Sequence, residues 1–297
     1  MRETVVEFGP ARRLVGILTR DTPSAAAADD VAVLITNSGI IHRVGPHRLH
    51  VRLARFLAAR GYPVLRYDLP GIGDSESAGG DQVAQAKLAG TRAAMDQLQR
   101  MGVAKRFVVM GICSGADHSL LAAVVDPRVA GAITIDPTTV FPTRRHRVNR
   151  VLRRASRLLV PRVVWRLVTG RYSVLRRLSE PSQPPAFGMP RAPEPDDLNA
   201  RQQAIDALST VVQKNARLLM LMTGHTHEVF SYPGQIVDAF PEVAGLEGIL
   251  TVRHLPAAGH TFGSERERER LEQLVLEWLG TLPAHSVPQP ERASSVA

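Results

Sequence analysis

Short apolar runs bounded by glycine or polar turns alternate with longer segments of helical periodicity along most of the chain. This alternation demands a parallel sheet covered by helices, because parallel strands can be joined only by long crossovers that the helices supply. The strand-like runs are Thr4–Phe8, Leu14–Leu18, Val31–Thr36, Pro63–Tyr67, Arg106–Met110, Val129–Ile135, Arg217–Thr223 and Ile249–Leu255. Helical patterns fall on His50–Arg60, Asp81–Met101, the stretch from Gly115 to about Val125, a part of Asp197–Asn215, Pro233–Phe240 and Ser264–Leu279. The expected class is therefore α/β.

At 297 residues the chain is one large domain, or one domain carrying an inserted module. Its 44% hydrophobic content excludes wholesale disorder. No apolar run approaches the ~18 residues of a membrane-spanning helix. The N-terminal Met1-Arg2-Glu3-Thr4-Val5-Val6-Glu7 is polar where a secretion signal is apolar, so a cytoplasmic location is expected. The single cysteine, Cys113, can form neither an internal disulfide nor a multi-thiolate zinc site.

The formal charge of +9 is unevenly spread. Twelve arginines and no acid lie between Pro137 and Ser179, and without them the remainder carries −3. A near-neutral body with one cationic segment is not a nucleic-acid-coating protein. The division also places the inserted module: a basic helical cap over residues 137–216, with 1–136 and 217–297 forming the core and a disordered tail from about 283. Val148, Leu152, Ala155 and Leu159 fall at helical spacing within the cap, with Trp165, Leu167 and Val168 continuing an apolar lining.

Chemistry concentrates at Gly111-Ile112-Cys113-Ser114-Gly115, a sharp turn from strand to helix. Such a turn needs small residues two before and two after its apex. Centring on Cys113 puts Gly111 and Gly115 there, whereas centring on Ser114 puts Ile112 and Ala116 there. Cys113 thus takes the nucleophile's place, where the positive end of the following helix favours an anion. An isolated cysteine usually packs as a small hydrophobe, but the turn argues against that bland role.

A base is expected from a loop after the last strand, and of the ten histidines His260 has that position, in Gly259-His260-Thr261-Phe262. The acid orienting it is either Glu228, after the penultimate strand, or Asp136, at the tip of the strand following the turn. The N–H groups of Ile40 and Ser114 are expected to form an oxyanion hole. His225 and His227 make an H-x-H without an evident third ligand, so no metal is expected. Asp68–Ser75 contains Gly71 and Gly73 but no third glycine at dinucleotide-binding spacing, and no cofactor is expected.

Gly111-Ile-Cys-Ser-Gly115, Asp68-Leu-Pro-Gly-Ile-Gly-Asp-Ser75 and Gly259-His-Thr-Phe262 together resemble the α/β-hydrolase superfamily over nearly the whole chain. More narrowly, Asn37-Ser-Gly-Ile-Ile-His-Arg-Val-Gly-Pro46 and Gly111–Asp117 look like the exosortase-associated hydrolases and the serine aminopeptidase-like group. The resemblance implies a mostly parallel eight-stranded sheet, an inserted cap and a nucleophile–acid–histidine triad in that order. Cysteine replaces the usual serine, similar to dienelactone hydrolases, and the aspartate expected within Thr223–Glu228 is absent.

These features point to an ester or thioester hydrolase working through an acyl-cysteine. A thioenzyme also passes its acyl group to amines or alcohols, so an acyltransferase is the alternative, and a hydrolase fold with a decayed triad is a second one. The substrate is expected to be a small or carrier-bound acyl compound. The arginine-rich cap would then receive an acidic acyl carrier protein or the phosphates of coenzyme A. A basic amphipathic helix also allows contact with a membrane surface.

Overall fold

The computed structural model describes residues 1–21, 31–77, 83–138, 140–158 and 198–283. Eight strands form one sheet: β1 (Arg2–Phe8), β2 (Leu14–Arg20), β3 (Val31–Ile35), β4 (Val64–Tyr67), β5 (Arg106–Ile112), β6 (Val129–Ile135), β7 (Arg217–Thr223) and β8 (Leu250–Leu255). Their spatial order is β1-β2-β4-β3-β5-β6-β7-β8. β2 runs antiparallel to both neighbours and every other pairing is parallel, as in an α/β-hydrolase core.

The strands read as continuous apolar runs because both faces of the sheet are covered. Alternate residues of β3 divide between the two sides. Val33 and Ile35 join a cluster with Leu49, Leu53 and Leu57 of α1 (Leu49–Ala58) and with Leu271, Val275 and Trp278 of α8 (Glu265–Leu279). Ala32 and Leu34 face the other cluster, with Met95 and Leu98 of α2 (Val83–Arg100) and Ala122 of α3 (Ser114–Val125). Full burial of each large aliphatic side chain is worth roughly 1.5–3 kcal/mol, so these two layers carry the fold. A capping box between Ser264 and Glu267 starts α8.

Of the segment expected to form the cap, residues 139 and 159–197, with Leu159, Trp165, Leu167 and Val168, lie outside the described residues, as does the tail beyond 283. Within the described part, α4 (Arg144–Leu158) follows β6 and α5 (Leu198–Gln213) precedes β7. α5 buries Leu208 and Val211 in the same cluster as α2 and α3, as a crossover helix between parallel strands does. Two short helices, α6 (Gln235–Ala239) and α7 (Leu246–Ile249), connect β7 to β8. Among the described residues no helix is long and apolar enough to cross a membrane.

The chain leaves β3 towards β4 on one side and leaves β5 towards β6 on the other. Loops diverging from adjacent parallel strands open a crevice at their carboxyl ends. The loop beginning at Asn37 and the turn at Cys113 flank that crevice.

Candidate active site

Cys113 occupies the apex between β5 and α3, with φ 57° and ψ −123°. This is a strained conformation for a residue bearing a Cβ, of the kind that persists only where the surroundings impose it. The surroundings are two glycines. A Cβ on Gly111 would overlap the Gly115 carbonyl, and one on Gly115 would overlap the Asn37 carbonyl oxygen. Backbone thus approaches backbone on both sides of the turn, and Cys113 is the residue at its centre. The Cys113 N–H donates to the Ile135 carbonyl at 2.9 Å, tying the apex to the end of β6.

His260 stands in the loop between β8 and α8, anchored by fully buried Phe262 two residues on. Its Nδ1 lies 2.8 Å from Asp136 Oδ2, and its ring also hydrogen-bonds Cys113. With Nδ1 donating to the carboxylate, Nε2 is left for the sulfur. Burial pushes the imidazole's pKa down. The hydrogen bonds to Asp136 and to Cys113, together with their charges, outweigh it and raise the pKa to about 9.

Asp136 is fully buried just beyond β6, with φ 46°. It accepts two hydrogen bonds from Thr223, from the backbone N–H at 2.7 Å and from the hydroxyl at 2.6 Å. Its backbone N–H donates to the Leu221 carbonyl at 3.0 Å. Thr138, two residues on, is held through its N–H and hydroxyl by Asp117 of α3. Burial raises the Asp117 pKa, and the two Thr138 hydrogen bonds oppose that. Asp136 is therefore held between α3 and β7.

Of the two carboxylates open from sequence, the structure brings Asp136 to His260. Glu228 is turned elsewhere: its carboxylate lies 3.3 Å from His227 Nε2, and its backbone carbonyl receives His146 Nε2 at 3.1 Å. The reason lies four residues earlier. Gly224, where a Cβ would meet the Pro256 carbonyl, donates its N–H to the Ala258 carbonyl at 3.0 Å. That bond zips the β7 loop to the His260 loop at Gly224, so the residue delivered against His260 is His225. The two imidazoles stack, with centroids 4.5 Å apart and planes 30° apart.

The proposed oxyanion donors sit on the two loops flanking the crevice. Ile40 is exposed in a tight turn closed by Ile41 N–H to the Ser38 carbonyl at 2.9 Å. Ser114 opens α3, where the backbone N–H has no acceptor within the helix. The Gly39 N–H donates to Ser114 Oγ at 3.0 Å, so the serine side chain joins the two loops.

A second brace holds the Ile40 loop from below. Asp68, wholly buried, accepts from Asn37 Nδ2 at 2.8 Å and from the Arg43 N–H at 2.7 Å. Asn37 Oδ1 accepts the Leu69 N–H at 2.6 Å in return. The glycine-rich Asp68–Ser75 loop is thus a support for the crevice wall. His42, Asp68 and Asp74 place ligand atoms within 4.8 Å of one another, but the Arg43 guanidinium is ion-paired with both carboxylates and supplies the positive charge there.

α4 turns polar residues inward. Thr143, just before the helix, bonds the Tyr232 hydroxyl at 2.8 Å, and His146 and Asn149 reach Glu228 and Ser231. Val148 and Leu152, expected on an apolar lining, are instead exposed, beside Val151 and the exposed Arg144, Arg147 and Arg150. Hydrogen-bonding groups at 146 and 149 satisfy polar atoms of the 228–231 loop, which valine and leucine cannot do.

Thr223, Asp117 and the Ser114 side chain carried no sequence signal of their own, since each acts through a partner brought near only by folding. The H-x-H beside a strand end was the one visible mark of His225.

The chain belongs to the alpha/beta hydrolase family, whose model matches residues 37–274. It is similar in structure to the Pyrococcus furiosus esterase Pf2001, with a TM-score of 0.58 and 14% identity over 94% of this chain and 91% of that one. XC6422 from Xanthomonas campestris, described as a serine hydrolase without a lid, aligns with a TM-score of 0.51 and 16% identity over 95% and 96% of the two chains. A dienelactone hydrolase homologue from Klebsiella pneumoniae gives 0.52 and 15% over 90% and 93%. No curated protein sequence matches the chain.

Proposed function

We propose that this protein is an acyl-transfer hydrolase that cleaves an ester or thioester through an acyl-cysteine intermediate. The observation that carries the reading is the placement of one imidazole between Asp136 and Cys113. Fold alone would not suffice, because the same scaffold hosts many activities. With the proton already held on His260 Nε2, Cys113 Sγ bonds to the acyl carbon, and the N–H groups of Ile40 and Ser114 receive the oxyanion. The bond to the leaving alcohol or thiol then breaks, and the leaving group takes the proton from His260. Water gives a proton to His260 and attacks the thioester, the S–C bond breaks, and the sulfur is released beside the protonated imidazole. The net change is substrate plus water to acid plus alcohol or thiol.

Asp136 keeps Nδ1 facing itself and stabilises the imidazolium formed in each half-reaction. An anionic carrier is the substrate form favoured by the exposed Arg144, Arg147 and Arg150 on α4, next to exposed Val148, Val151 and Leu152. Incubation with a short acyl thioester tests the reading: free acid and free thiol in equal amounts are expected, abolished in Cys113→Ala. Absence of release from the unmodified protein, across short and medium acyl chains and in both ester and thioester form, would sink it.

A further inference from the structure

The hydrogen bond from Nδ1 to Asp136 fixes one point of the His260 ring but leaves the ring free to swing about that bond. A swing of a few tens of degrees would carry Nε2 away from the sulfur. Something must therefore hold the ring's plane, and the face of His260 is covered by His225 at 4.5 Å. We infer that His225 is a positioning residue, a flat plate that keeps His260 Nε2 aimed at Cys113.

The plate is itself rigidly mounted. Thr223, which gives both its N–H and its hydroxyl to Asp136, accepts the His225 N–H on the same hydroxyl oxygen at 3.2 Å. One threonine thus sets the acid and the stacked ring together. Gly224 permits the close approach of the two loops, and its N–H bond to Ala258 fixes their register. The result is a closed circuit, Asp136 to Thr223 to His225 to His260 and back to Asp136. An edge constraint from the acid and a face constraint from the plate together leave the imidazole one orientation. Stacked planar rings prefer one relative orientation beyond what their buried area alone would favour, which biases a rotation of this kind. Misalignment of a reacting group by about an ångström costs up to about 100-fold in rate.

The inference rests on the acyl-transfer reading only for its turnover readout, so the decisive measurement is made without substrate. Iodoacetamide alkylation of Cys113 at pH 7 is timed by intact mass in the unmodified protein and in His225→Phe, His225→Leu and His225→Ala, with thioester turnover measured alongside. Phenylalanine keeps a flat ring, leucine keeps bulk without flatness, and alanine removes both. The expected result is alkylation within about twofold of the unmodified protein for phenylalanine and roughly tenfold slower for leucine and alanine, with kcat for the thioester following the same order and KM unchanged. Should alanine fail to fold, the leucine-to-phenylalanine ratio decides. Equal alkylation rates for phenylalanine and leucine would overturn the positioning role, whatever the thioester shows. The expected alkylation order without any thioester turnover would uphold the role of His225 and reject the acyl-transfer reading.

Discussion

His260 Nδ1 lies 2.8 Å from Asp136 Oδ2, although 124 residues of chain separate the two. The carboxylate that meets His260 thus comes from the end of the strand following α3, and the β7 loop contributes a stacked ring. Substituting each carboxylate separates their roles. Asp136→Asn removes the carboxylate's hydrogen bond and charge, which oppose burial at His260, so the imidazole pKa is expected to fall from about 9. Loss of orientation and charge is expected to lower kcat/KM for a thioester by roughly 10³-fold. Glu228→Gln, at a partly exposed carboxylate beside His227, is expected to stay within about twofold. Steady-state kinetics with NMR titration of the His260 ring checks both.

Protonation of His260 also ties stability to pH. Its folded-state pKa is raised to about 9 from 6.5, so the native state binds the proton more tightly than the unfolded chain. The resulting stabilisation is complete below pH 6.5 and is lost as pH rises to about 9, at up to ~1.4 kcal/mol per pH unit. Urea unfolding at pH 6, 7.5 and 9 should show this decline, and His260→Gln should flatten it relative to the unmodified protein. A proton taken from His260 by the leaving group gives the same sign in kinetics: activity falls as pH passes about 9, and Asp136→Asn moves the fall to lower pH.

The elbow glycines make a structural prediction independent of chemistry. A methyl group at position 111 or 115 must displace backbone, at Gly115 or Asn37 respectively. Each alanine variant is expected to lose about 1–3 kcal/mol in thermal or denaturant unfolding and to lose thioester turnover. Gly39→Ala is informative by contrast. A Cβ there meets nothing within 4 Å, so its cost comes only from the positive φ of 57°.

Ser114→Ala removes the 3.0 Å bond from Gly39 that joins the Ile40 loop to the turn at Cys113. Stability should change by about 1 kcal/mol or less. A loosened Ile40 N–H would act in the transition state, so kcat is expected to fall roughly tenfold with KM unchanged. Equal losses in kcat and stability-corrected binding would assign the serine to folding alone.

Much of this was legible from residue patterns, for reasons that vary by element. The strands announced themselves because a sheet covered on both faces needs unbroken apolar runs, as in Val31–Ile35 and Arg217–Thr223. The elbow register followed from steric demand at Gly111 and Gly115, a local property. Which carboxylate meets His260 did not follow, because Asp136 and Glu228 both end near the same sheet edge, and it is the tertiary bonds of Gly224 to Ala258 and of Asp136 to Thr223 that bring Asp136 there. The apolar face ascribed to α4 was misread for a similar reason. Its helical spacing was real, but the contacts of His146 and Asn149 with the 228–231 loop set which side faces inward.

Intact-mass analysis of the protein quenched within milliseconds of mixing with a short acyl thioester tests the central claim most directly. A mass increase equal to the acyl group, located on Cys113 by peptide mapping, lost in Cys113→Ala and reversed by hydroxylamine, is the predicted result. Turnover of the thioester with no adduct on the sulfur, or with the acyl group mapped to Ser114, would contradict it.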